Sequence, residues 1–118
     1  MTATTRKPLA NYLHVYRKKT GLTQREMGML LGGLKEGTIS RHERFHSLPP
    51  LLTALAYEVI FDVPIGDLYS GLREVVASGV EDRMDELEEA LKRASEQDHH
   101  ASVLTARRLE WINERRVA

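Results

Sequence analysis

Cysteine is absent from the chain. That removes disulfides and thiolate metal sites, and makes a reducing cytoplasm the expected home. Long apolar runs are absent too: none approaches the roughly 20 residues of a membrane-spanning helix. The opening stretch Met1-Thr-Ala-Thr-Thr-Arg-Lys lacks the apolar centre of a secretory signal. Aromatic residues make up only 6% of the sequence, and no useful alternation of apolar and polar residues marks a strand. No nucleophile–base pair, Gly-rich phosphate loop or metal-ligand spacing can be found. Catalysis, a cofactor and a metal site are therefore not expected. Net charge is also lacking: 17 bases balance 17 acids.

The distribution of charge matters more than its sum. Residues 1–50 hold nine Lys/Arg against three Asp/Glu, a surplus of six positive charges. Residues 51–69 hold no base and three acids, and residues 70–118 hold eight bases and eleven acids. The positive field is concentrated in the first part of the chain, as a phosphate-facing surface requires.

What is present is helical periodicity almost throughout. Leu9, Tyr12, Leu13 and Tyr16 predict a helix over 8–19, with Pro8 in its first turn and Gly21 ending it. Thr23 and Glu26 form a capping box, with Leu22 and Met27 as a hydrophobic staple. The helix they open runs to about Leu31 and is expected to bury Met27, Leu30 and Leu31. Gly32 and Gly33 must break it. A third helix spans about 36–45, with Ile39, His42 and Glu43 inward. Pro49-Pro50 opens a fourth, with Leu52, Leu55, Ala56, Val59 and Ile60 as its core stripe. Pro64 starts a short fifth, carrying Ile65, Leu68 and Tyr69. Five short helices within about seventy residues, two joined by a tight glycine turn, give helix-turn-helix connectivity and an all-α fold.

The stretch Leu22-Thr-Gln-Arg-Glu-Met-Gly-Met-Leu-Leu-Gly, followed by Gly37-Thr-Ile-Ser-Arg-His-Glu-Arg, resembles the lambda-repressor/Cro (XRE-type) helix-turn-helix family. Leu55 to Tyr69 is similar to that family's fourth and fifth helices. The resemblance covers roughly residues 8–70 and implies a five-helix DNA-binding domain, here followed by a short helical tail at 71–118. It implies that Thr23 and Gln24 meet the DNA backbone at the start of the second helix. It places Lys35, Glu36, Gly37, Ser40 and Arg41 of the third helix in the major groove. Arg41 suits a bidentate pair with guanine and Glu36 suits a cytosine amino group, while Thr38 and Arg44 are placed for phosphates. The turn before the third helix is one residue longer than the family pattern. Arg17 and Glu43 stand where the family often holds a structural ion pair. The implied function is a sequence-specific transcription regulator of double-stranded DNA, a repressor acting as a homodimer. Two rivals share the module: an antitoxin whose tail binds a toxin, and a protein-interaction adaptor that has lost DNA binding.

In the tail, Leu72, Val76, Val80, Met84, Leu87, Leu91 and Ala94 follow helical spacing, and from Val80 they form an a/d seam. Val80, Met84, Leu87 and Leu91 are the expected dimerisation residues, with self-pairing preferred over folding back on the first domain. Glu88–Lys92 and Glu89–Arg93 are favourable i,i+4 pairs. Ser95 to His100 reads as a break, and Thr105 as the cap of a last helix with Leu104 and Leu109 as staple partners. That helix carries Ile112 and Trp111. His99-His100 reads as polar linker, and Arg6 and Lys7 as either a DNA-reaching arm or a disordered terminus.

Overall fold

A computed structural model describes residues 10–97 and 102–117. These form seven α-helices: α1 Leu13–Thr20, α2 Gln24–Leu30, α3 Glu36–Glu43, α4 Leu51–Phe61, α5 Ile65–Leu68, α6 Ser70–Gln97 and α7 Val103–Val117. No strand occurs among the described residues, and none of these helices is long and apolar enough to cross a membrane. The chain divides into two compact units, Met1–Val75 and Val76–Ala118. Helix α6 begins at Ser70 and runs through the division.

Helix α1 starts later than its periodicity predicted. The Asn11 side chain accepts from the Leu13 amide (3.1 Å), and the Tyr12 amide donates to the Leu68 carbonyl (2.8 Å). With those amides bonded elsewhere, no helical turn precedes Leu13 among the described residues; Pro8 and Leu9 lie outside them. Gly21, at φ +80°, closes the helix in the left-handed region that glycine adopts at little cost.

The capping box of α2 is complete. Thr23 Oγ1 accepts from the Glu26 amide (3.0 Å), and the Glu26 carboxylate accepts from the Thr23 amide (2.9 Å). Met27 enters the core, but Leu30, expected inside, is 56% exposed. At 100° per residue, Gln24, Met27, Gly28 and Leu31 share one arc, and Leu30 falls about 110° from its centre. The chain then doubles back tightly. The Gly28 carbonyl accepts from both the Gly33 and Leu34 amides, each at 2.9 Å. A Cβ on Gly28 would lie 2.1 Å from the Leu34 carbonyl oxygen.

Helix α3 ends in a Schellman arrangement. The His46 amide donates to the Arg41 carbonyl (2.9 Å) and the Phe45 amide to that of His42 (3.1 Å). Phe45 takes the left-handed position at φ +61°, its ring 6.2 Å from that of Tyr69.

Helix α4 turns most of its expected face outward. Leu52, Leu55 and Val59, read as core, are exposed. Ala56 is half-buried and Ile60 packs against the core as expected, but beside Phe61 and the buried Tyr57, which the stripe did not include. The helix is apolar on both sides, so periodicity alone does not choose between them. The choice follows the aromatic contacts. Tyr57 stacks on Phe61 at 6.1 Å, Phe61 meets Tyr16 at 5.8 Å, and the Tyr57 hydroxyl reaches His42. Leu13, Met27, Ile39, Tyr57, Leu68 and Tyr69 form the core of this unit.

In the second unit, α7 folds back along α6. Arg115 pairs with Glu81 (3.0 Å), and Arg116 with Asp85 and Glu88. A last turn bonded to residues 81–88, so far before the end of α6, requires an antiparallel hairpin. Met84 and Ile112 are its buried side chains. Lys92 and Arg93 pair with Glu88 and Glu89 as their spacing predicted. Three boundary expectations are corrected here. Ser95–Gln97 continue α6 and do not break it; Asp98–His100 lie outside the described residues. Ser102 caps α7, its hydroxyl accepting from the Thr105 amide (3.2 Å), so Thr105 sits within the helix. Leu104 is exposed rather than stapled, because the cap lies three residues earlier than expected.

Candidate nucleic-acid interface

Helices α1, α2 and α3 converge on one carboxylate. Glu43 is drawn into the protein, its side chain only 5% exposed. Arg17 Nε donates to Glu43 Oε2 (2.6 Å) and Arg17 Nη2 to Oε1 (3.1 Å), a two-pronged pair between α1 and α3. Gln24 Nε2 donates to Oε1 from α2 (3.1 Å). Arg17 Nη1 also holds the Leu22 carbonyl (2.9 Å), just ahead of the α2 cap. One ion pair thus fixes the spacing of all three helices. Burial pushes the Glu43 carboxyl up, but hydrogen bonds from Arg17, Gln24 and His14 outweigh it and hold it below the usual carboxylate range. The same hydrogen bond with Glu43 raises the Arg17 guanidinium.

His14 was not anticipated. Its Nδ1 lies 3.2 Å from Glu43 Oε1 and 3.3 Å from Arg17 Nη2. One ring nitrogen can donate to the first or accept from the second, not both. The signal was present: His14 stands three residues before Arg17 on the same helical face. Asn11 and Tyr57 were also missed. Asn11 Nδ2 donates to the His42 carbonyl (3.0 Å), tying the start of α1 to the end of α3. His42 Nδ1 and the Tyr57 hydroxyl are 3.0 Å apart. Burial, then the neighbouring Arg41 charge, lowers the His42 pKa, while burial raises that of Tyr57. A neutral imidazole accepting from a neutral phenol satisfies both.

With Ile39 and His42 held inward, the opposite side of α3 faces out. Glu36, Gly37 and Arg41 are exposed there, with Lys35 at the N-cap and Arg44 at the C-cap, while Thr38 and Ser40 are half-buried. Gly37 has open space where a Cβ would stand, so packing does not demand glycine at that position. Thr23 is exposed, its hydroxyl oxygen occupied by the cap. Gln24 is turned toward Glu43 and spends one N–H of its side-chain amide there; the second N–H of that amide is the donor that can meet an acceptor. His14, Gln24, Ser40, Glu43 and Arg44 line an open cleft of about 260 Å³ beside this face.

The expected dimerisation seam is divided. Met84 is enclosed in the hairpin, Val80 and Leu91 are half-buried, and Leu87 is 47% exposed. No cluster of three or more metal-ligating side chains occurs among the described residues; His99 and His100, like Arg6 and Lys7, lie outside them. Comparisons with known protein families, characterised proteins and solved structures find no match for this chain.

Proposed function

We propose that this chain is a sequence-specific regulator of transcription that binds double-stranded DNA, a repressor of the XRE type working as a homodimer. The supporting observation is the lock on α3. Arg17, Gln24 and Glu43 join three helices behind it, and its outer face, with Lys35, Glu36, Gly37, Arg41 and Arg44, is open and positive on balance. A short helix held rigidly from behind and presenting Arg outward is what major-groove reading requires. In this reading Arg41 forms the bidentate pair with guanine, and Glu36 accepts from a cytosine amino group. Ser40 lies beside them, and the bare Gly37 lets the backbone approach the base edges. Arg44, Thr38, Thr23 and Gln24 contact phosphates and set the register.

Base reading and phosphate contact respond differently to mutation. Arg41→Ala weakens binding to the specific site by about 1–3 kcal/mol and relaxes preference at one base pair. Arg44→Ala weakens binding to all sequences and lowers the salt slope by about one. Binding titrations at several salt concentrations against selected and scrambled duplexes measure both. An Arg41→Ala variant with unchanged affinity and preference would overturn this register of α3.

A further inference from the structure

Five large apolar side chains stand in solvent along α4 and the segment leading into it. Leu48 is 58% exposed, Leu51 73%, Leu52 81%, Leu55 41% and Val59 78%. The four on α4 fall within an arc of about 100°, centred opposite the buried Tyr57. A single exposed leucine needs no explanation, but a contiguous row on one helix marks a contact surface.

The charge pattern says what covers it. From Ser47 to Tyr57 the chain has no Asp, Glu, Lys, Arg or His. Glu58, the only charged residue of α4, is engaged elsewhere: its carboxylate accepts from the Ile65 amide at 2.7 Å. In a two-fold contact the same patch meets itself, and a residue near the axis faces its own copy. Any charge there would oppose an identical charge. A charge-free apolar row meets that condition, and its spacing suits the interdigitation of two helices.

We infer that this stripe is the docking surface for a second copy of the chain, α4 against α4 across a two-fold axis. The inference rests on the homodimer of the proposed function and names its interface, but it does not need DNA binding, since oligomeric state is measured without DNA. It moves the dimer contact away from the tail seam, whose Met84 is already enclosed by the hairpin.

The full-length protein tests it by sedimentation equilibrium. The wild type sediments as a dimer, and Leu52→Lys with Val59→Lys as a monomer with unchanged helical circular dichroism. Leu87→Glu with Leu91→Glu, in the seam, stays dimeric. Disulfide trapping gives a second readout that does not depend on the lysine variant folding, because the chain has no cysteine of its own. Under mild oxidation Leu52→Cys and Leu55→Cys, made singly, yield covalent dimers, whereas Lys18→Cys does not. A monomeric wild type, a dimeric lysine variant, dissociation by the seam variant alone, or failure of both α4 cysteines to cross-link would each overturn the proposal. A dimer that binds no DNA would overturn only the proposed function.

Discussion

Removing Arg17 leaves the Glu43 carboxylate inside the protein without its closest charge. Arg17→Ala therefore destabilises the module by up to about 3–5 kcal/mol, whereas Lys18→Ala on the exposed side of the same helix changes little. Paired thermal melts measure the difference, and equal melting temperatures would contradict the lock. His42 gives a second, pH-dependent handle. Its folded pKa lies below the ordinary 6.5, so the folded state prefers the neutral ring. The unfolded chain then binds more protons once the pH falls below about 6.5. Stability is full above that value and is lost as the pH drops through the folded pKa. His42→Gln should flatten melting temperature against pH in this window. The depressed Glu43 adds a separate loss of the same sign in the carboxylate range, which His42→Gln leaves in place. The resemblance read in the sequence made Arg17 and Glu43 legible as a pair. It did not reveal Asn11, whose bond to the His42 carbonyl spans 31 residues and leaves no local periodicity, whereas His14, three residues before Arg17, was legible in the helical spacing but not used.

At the scale of the element, the turn between α2 and α3 sets the tightest constraint. Alanine is the better helix former by about 1 kcal/mol, yet Gly28→Ala should destabilise the module. Its Cβ would overlap the Leu34 carbonyl, part of a backbone that bonds Gly28 and has little room to give. A net loss of about 1–3 kcal/mol is expected by urea titration, while Gly37→Ala, with open space around it, should be tolerated by the fold. Helix existence was readable where a cap coincided with a stripe, as in α2, where Thr23, Glu26 and Met27 agree. Helix facing was only partly readable in α4: Ile60 was placed correctly, but Leu52, Leu55 and Val59 form as good a stripe as Tyr57 and Phe61. Hydropathy ranks the leucine side first. The decision belongs to a phenol that must find His42 and a ring that must find Tyr16, partners on other helices. The late start of α1 has the same origin, since the Tyr12 amide is claimed by Leu68, 56 residues away.

For the whole molecule, the same limit governs the tail. An a/d spacing states that one side of α6 is covered but not by what, and Ile112 of α7 belongs to the hairpin that encloses Met84. The cationic ends of α7 and the acids of α6 were visible in composition, yet their pairing needed the fold-back. In the first unit, both ends of the α2–α3 segment are closed within the chain itself, by the Thr23–Glu26 box at one end and the Arg41–His46 Schellman bond at the other. On the proposed DNA-binding reading, a segment so finished has nothing left to fold when a duplex arrives. Calorimetry across temperature should therefore give a heat-capacity change matching only the surface the duplex covers. The additional decrement from burying about 1,000–3,000 Å² through coupled folding should be missing.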